Sequence, residues 1–407
     1  MPDTVRLTLL NPHADDFAST PVSFWLVGRR GLCKYGYLLE EPIRRGQRVQ
    51  VLVDGTLSSL IDQRVFAWLP AWLRALILRI EISLWLRNND LSHKVDVHWT
   101  VDTVSDRTAL FVFSYKNCVG AFDRREATIS SFNHAIINLS HYFIRTREKA
   151  GNIAKLRNAV LSTDSDLSQN PFFRHFFPHP PSLLVTPFAV GERFAPRQPL
   201  EHRSIKCAAT GSFHNLKEEF PREYYRDFVD FFRTDTYHPV RKLLYERRVE
   251  LAAWLECRIS PYREMEGKNG FLAGLRRLLG IDIAQTEYFS FDIAEFYNKH
   301  RFAVVGEELS GAPAIGFFEA MACGCVMLGA SGNYYDGLGL IPDVHYLAHD
   351  GTVESIRAVI TRVSEDSQRL TATAQAGLRY IQEKCTPQAA WDTLQRSLVQ
   401  LSARHEP

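Results

Sequence analysis

FAVVGEELSGAPAIGFFEAMACGCVMLGA, residues Phe302–Ala330, is the stretch on which the reading of this chain turns. An apolar strand (Phe302–Val305) runs into a polar loop with glycine and proline (Gly306–Gly316). A helix is expected from near Phe317 to Gly324, where glycine stops it, and an apolar strand follows at Val326–Leu328. Strand, loop and helix in that order deliver backbone N–H groups to a helix N-terminus, whose partial positive charge favours an anion. Glu319 is expected in the first turn of that helix, where its carboxylate can accept two hydroxyl hydrogen bonds, as a ribose diol requires. One element would then hold a nucleoside diphosphate at the loop and its ribose at Glu319, with Ala314, Gly316, Phe317 and Phe318 at the loop–helix junction as further donor-binding candidates. An acidic residue near a helix start also gains about 0.3–1 kcal/mol from the helix dipole alone, so Glu319 by itself does not separate the two roles.

Outward from this segment the chain repeats the same grammar. Val5–Leu10 reads as a strand, Val27–Gly31 as a glycine-bearing loop, Cys33–Arg45 as a helical stretch with Pro42 near its end, and Arg48–Val53 as a second strand. That βαβ unit implies a parallel sheet. Further β-rich runs come at Lys94–Val101, Ala109–Ser114, Ala135–Leu139 and Ser182–Thr186, with a helical stretch at Arg145–Leu161. The proline- and charge-rich run PRQPLEHR, from Pro196, reads as a linker. After it a new strand begins (Ile205–Ala209), followed by a tight polar turn at Thr210–Ser212 and helical sequence. Two such starts predict an α/β protein of two Rossmann-like, doubly wound domains facing a cleft, over residues 1–196 and 197–386. Residues 387–407 read as a helix that crosses back onto the first domain.

Bulk properties agree with two globular domains and exclude other classes. A length of 407 residues is too long for one ordinary core, and 45% hydrophobic with 23% charged residues is a globular composition. A net charge of +2 gives no footing for nucleic-acid binding. Seven scattered cysteines read as reduced thiols of a cytoplasmic protein, and Cys323 and Cys325 are too closely spaced for an ordinary metal pair. No cationic segment followed by an apolar run opens the chain, so a signal peptide is not expected. The apolar stretch Phe66–Leu86 carries Pro70, Arg74, Arg79 and Glu81, which argues against a spanning helix. Leu69, Trp72, Leu73, Leu76, Ile77, Ile80 and Leu84 recur at helical spacing. Two readings stay open: a buried helix of the first domain, or a Trp- and Arg-bearing helix over 66–86 lying on the inner face of a membrane.

GFFEAMACGCVMLGA resembles the donor-binding signature of GT-B glycosyltransferases, particularly the family-4-like group (glycosyl transferases group 1). Phe318, Glu319, Ala320, Met321, Ala322, Cys323, Gly324 and the apolar Val326 match it in order. Three weaker likenesses accompany it: Arg30-Gly31 with RRGQRVQVLV, LLVTPFAVGERFAP (Leu183–Pro196) and CAATGSF (Cys207–Phe213). The resemblance implies a glycosyltransferase with no resident cofactor. Its substrates would be a nucleoside-diphosphate sugar and a glycan or lipid-linked glycan, and Glu319 would bind the donor ribose. It also implies a C-domain arginine or lysine at the phosphates, for which Arg258 and Arg263 flanking ISPY are the candidates, with Gly211 and Ser212 adding a close backbone approach and a hydroxyl. Tyr335 and Asp336 are candidates for touching the donor from the loop beyond.

The likeness breaks at one position. The retaining group carries a second glutamate eight residues before the ribose-binding one, and here that position is Gly311; Glu307 and Glu308 lie just upstream. On the acceptor side, a residue that activates or orients a hydroxyl is expected at a strand C-end. His141 in Asn-Leu-Ser-His-Tyr-Phe is the first candidate, with His13 and Asp16 after the first strand behind it. Two other readings remain: a catalytically inactive GT-B domain serving as a binding partner, and a GT-B nucleotide-sugar epimerase.

Overall fold

The structure, a computed structural model, describes residues 5–14, 35–55, 69–88, 90–120, 122–186, 189–216, 222–261, 291–335 and 337–403. Two wholly parallel sheets form its frame. The first has strands β1 (Leu7–Leu10), β2 (Val49–Leu52), β3 (Val95–His98), β4 (Ala109–Phe113), β5 (His134–Asn138), β6 (Ala159–Thr163) and β7 (Leu183–Val185), in spatial order β3-β2-β1-β4-β5-β6-β7. The second has β8 (Ser204–Phe213), β9 (Leu255–Pro261), β10 (His300–Val304), β11 (Val326–Ala330) and β12 (Leu347–His349), in order β12-β11-β10-β8-β9. Strand order reverses between β1 and β4 in one sheet and between β10 and β8 in the other, the positions where doubly wound sheets open a crevice at their strand C-ends.

The strands read as continuous apolar runs because helices cover both faces; β4, β5 and β6 are buried along their whole length. The fold differs from the sequence reading at several places, each for a physical reason. Arg145–Leu161 is not one helix: Thr146–Ile153 is helical, and after a turn Ala159–Thr163 becomes β6, since its apolar side chains complete the sheet beside β5. Thr210–Ser212 is not a turn, because β8 continues through it in register with β9 as far as Phe213 opposite Pro261. The first helix is shorter than Cys33–Arg45, running Tyr37–Arg44 with Pro42 inside it. The glycine loop Val27–Gly31 lies outside the described residues.

The apolar stretch Phe66–Leu86 is a helix over Ala71–Asn88, but a different side of it is buried. Leu78, Ile82 and Trp85 pack into the core of the first sheet, whereas Trp72, Leu76 and Ile80 remain exposed. No described helix is long and apolar enough to cross a membrane.

The cores do not follow the chain order. The cluster beneath β4–β6 takes in Leu216, Tyr225, Phe228 and Tyr237, which come after the linker. The helix Arg222–Phe232 contributes Phe228, Phe231 and Phe232 to an aromatic cluster around Phe172 of the helix Pro171–Phe176, with Phe228 and Phe231 edge-on and Phe232 tilted against it. The last helix, Pro387–Ala403, inserts Trp391, Leu394, Leu398 and Leu401 into the core of the first sheet, and Gln395 exchanges two hydrogen bonds with the Val5 backbone.

Candidate functional site

The helix that carries Glu319 spans Ile315–Ala322, starting two residues earlier than its sequence suggested. Glu319 therefore stands in the second turn, not the first. Ala314 is the N-cap and supplies no side-chain hydrogen bond, so the opening amides are not taken up by a capping group. At the other end Arg203 Nη1 donates to the Cys323 carbonyl at 2.9 Å, and Gly324 takes a left-handed φ of +77° to turn the chain into β11. Apolar packing holds the helix against the sheet: Phe317 and Phe318 are buried in the core, Phe317 against Tyr335 and Tyr346. Their side chains thus serve the core, leaving only their backbone to face a ligand. Gly316 allows the helix to approach closely, since a Cβ there would lie 3.0 Å from Tyr297 Oη.

Glu319 keeps partial solvent contact, but burial by the surrounding protein pushes its carboxyl up to about 7, with Arg193 acting in the opposite sense. Arg193 lies on the segment joining the two domains, its guanidinium over the Phe194 ring. That proximity is not legible in the sequence, where Arg193 is only one residue of the run Leu183–Pro196.

The two glutamates upstream have separate fates. Glu307 is buried: its Oε1 accepts from the Ala330 amide at 3.0 Å and from the Tyr335 hydroxyl, tying the end of β10 to the end of β11. Burial raises its carboxyl above the ordinary range. Tyr335 is thereby a core residue, and Asp336 lies outside the described residues.

Glu308 turns the other way, into a pocket between the domains lined by His141, Tyr142, Asp164, Ser165, Glu308 and Pro313 among others. Burial acts to raise the Glu308 carboxyl, but His238, His141 and Arg241 outweigh it and hold it at about 2. His238 Nε2 lies 3.6 Å from Glu308 Oε1, and burial together with Arg241 pushes that imidazole down to about 3.

His141 follows β5 and adopts a left-handed φ of +51°. The buried Lys149 ammonium donates to its carbonyl at 2.7 Å, fixing the turn. Across the pocket Asp164, after β6, accepts from the Tyr35 hydroxyl at 2.6 Å. Asp164 escaped the sequence reading, although an acidic residue directly after an apolar strand was the available signal.

Loop Gly306–Ala314 is held by both domains. Leu309 N donates to the Tyr237 carbonyl, Tyr142 Oη to the Ser310 carbonyl and Ser165 Oγ to the Gly311 carbonyl. Gly311 has φ +92°, and a Cβ on it would lie 2.5 Å from Asn170 Nδ2. Asn170 cannot yield easily, because its Oδ1 caps the helix Pro171–Phe176 by accepting from Phe173 N. The missing glutamate is thus explained sterically: the loop backbone here presses against the first domain.

The other candidates are distributed as follows. Gly211 and Ser212 end β8, and Arg241 lies across them: it donates to the Ser212 and Gly306 carbonyls, each at 2.8 Å. A Cβ on Gly211 would meet that guanidinium at 2.9 Å, so the glycine makes room for Arg241. Arg258 lies within β9, ion-paired with Glu256 and over Phe291 and Phe296, and does not line the interdomain pocket. His13 sits buried after β1, edge-on to Trp85, and is likewise not in that pocket. Asp16 and Arg263 lie outside the described residues. Among the described residues no group of three or more His, Cys, Asp or Glu side chains could hold a metal ion.

Two parallel, doubly wound sheets in this order define the GT-B fold class. Residues 271–396 match the profile of a family described as glycosyl transferase-like. Sucrose-phosphate synthase from Thermosynechococcus elongatus superposes with a TM-score of 0.54 at 14% identity, over 98% of this chain and 100% of that one. Anabaena HepE, solved with UDP-glucose, superposes with a TM-score of 0.55 at 10% identity, over 97% of this chain and 99% of its own. No curated protein matches by sequence. The chain thus shares the GT-B fold of these two proteins over nearly its whole length, and over residues 271–396 it carries the glycosyl transferase-like profile.

Proposed function

We propose that the protein transfers a sugar from a nucleoside-diphosphate sugar to a hydroxyl of a glycan or lipid-linked glycan, with retention of configuration, in building a cell-surface polysaccharide. The observation that carries this is the meeting of His141 and Glu308 in one interdomain pocket, on the loop that leads directly into the Glu319 helix. Glu319 holds the ribose and the opening amides of its helix face the diphosphate. Glu308 takes the sugar-contacting part that Gly311 cannot. As the bond from C1 to the phosphate oxygen breaks, the acceptor oxygen bonds C1 on the same face. Its proton passes to the departing phosphate, and His141 orients the hydroxyl.

HepE was solved with UDP-glucose, which makes UDP-sugars the first donors to try. A thermal-shift screen against UDP-, GDP-, ADP- and CMP-linked sugars tests the reading, since a ligand of the folded state raises its stability by mass action. A shift with one nucleotide class, followed by nucleoside diphosphate release, is the expected result; no shift with any of them would remove the proposal. His141→Ala should keep the shift and lose transfer. A shift without donor hydrolysis or transfer would instead favour the inactive-domain reading, to which Gly311 gives its one observation.

A further inference from the structure

The helix Ala71–Asn88 is apolar on two sides, and only one of them is used by the core. Leu78, Ile82 and Trp85 are buried, at 4%, 2% and 1% exposure. Trp72, Leu76 and Ile80, spaced by four, are exposed at 68%, 47% and 52%, and Trp99 beside them at 41%. At about 100° of rotation per residue, Arg79 and Arg87 fall in the same outward arc as Trp72, Leu76 and Ile80. Both arginines are exposed, and Arg79 lies over the Trp99 ring at 5.5 Å. Charge on the whole element is one-sided, with Arg74, Arg79 and Arg87 against the single Glu81.

An outward row of Trp, Leu and Ile is costly in water, and none of the described residues buries it. Single exposed apolar residues are ordinary, but an aligned row that shares its arc with arginines marks a contact surface. Arginines with tryptophan at the same level suit the boundary between acyl chains and anionic headgroups, where the indoles enter and the guanidinium groups stay with phosphate. A protein partner would have to match this row with a complementary apolar groove and acidic rim, whereas an anionic bilayer meets both requirements at once.

We infer that the face formed by Trp72, Leu76, Ile80, Trp99, Arg79 and Arg87 docks the protein in-plane on an anionic lipid surface. The inference rests on the proposed function only for its purpose, since it would bring the first domain to a lipid-linked acceptor. Trp85, on the inward side of the same helix, touches His13 at the end of β1, so the docked helix abuts the strand-end edge of the first sheet.

Flotation of the full chain with phosphatidylcholine vesicles, with and without about one-third phosphatidylglycerol, is the test. The expected result is binding to the anionic vesicles alone, weakened at least tenfold by Trp72→Gln/Leu76→Gln/Ile80→Gln and, separately, by Arg79→Glu/Arg87→Glu. The nucleotide-induced thermal shift should persist in both variants, which shows that they fold. Absence of vesicle binding by the parent protein, or equal binding by both variants, would overturn the inference. So would a parent dimer that the triple variant converts to monomer, because a second copy would then own the face. Failed vesicle binding with an intact nucleotide shift sinks this inference alone, and the reverse result sinks the functional proposal alone.

Discussion

At the scale of single residues, Glu319 carries a pH dependence. Its carboxyl is pushed up to about 7 by burial, from an ordinary value of 4.5. The folded state therefore holds this proton more tightly than the unfolded chain. The resulting contribution favours the fold below about pH 4.5 and is lost as pH rises toward 7. A ribose diol needs the ionised form as acceptor, so nucleotide affinity should climb from pH 6 to pH 8. Titration calorimetry at both values would check this, and a flat profile would contradict it. Glu319→Gln should flatten the profile and cost about 2–3 kcal/mol of nucleotide binding, roughly 30- to 150-fold. Gly311 yields a prediction of opposite flavour. Gly311→Glu supplies the glutamate that the sequence resemblance places there, yet it should lower stability by about 1–3 kcal/mol, because its Cβ would collide with the helix-capping Asn170 at a left-handed φ. An unchanged melting temperature would show that the loop moves freely.

At the scale of elements, the crevice of the second sheet is set by one side chain. Arg241, on the helix Pro239–Glu246, spans the ends of β8 and β10 by donating to the Ser212 and Gly306 carbonyls. It also helps hold Glu308 ionised. Arg241→Met should destabilise the fold by about 2–4 kcal/mol and reduce transfer more than denaturation midpoints alone explain. Equal loss in Arg241→Lys is expected, since an ammonium cannot reach both carbonyls in the fork geometry of a guanidinium. Denaturant melts of both variants, alongside transfer rates, would decide it.

At the scale of the whole molecule, the two domains are joined by more than a linker. Aromatic packing of the helix Arg222–Phe232 on Phe143 and Phe172, and the anchoring of loop Gly306–Ala314 by Tyr142 and Ser165, make the pocket around His141 and Glu308 a product of both domains. The last helix adds a second tie from the other end of the chain. Removing residues 387–407 would strip Trp391, Leu394, Leu398 and Leu401 from the first core, each worth about 1.5–3 kcal/mol of burial. The truncated chain should aggregate or melt far below the parent, by calorimetry and by recovery in the soluble fraction. Near-parental melting would mean that the first domain closes its core without the helix.

The sequence by itself determined the parallel sheet pattern and the helix that carries Glu319. Those signals are local: apolar runs of strand length, glycines that end helices, and a Phe-Glu-Ala-Met-Ala-Cys-Gly order within one element. It could not decide which face of Ala71–Asn88 was buried, because both faces are apolar and only the position of the sheet chooses between them. Nor could it show that Glu308 would meet His141 while Glu307 turned into the core, since adjacent residues leave a loop in directions fixed by their long-range partners. Gly311 makes the division plain. Its identity was visible as a lost carboxylate, but its reason lay in Asn170, which is 141 positions away in the chain and pressed against it only in the fold.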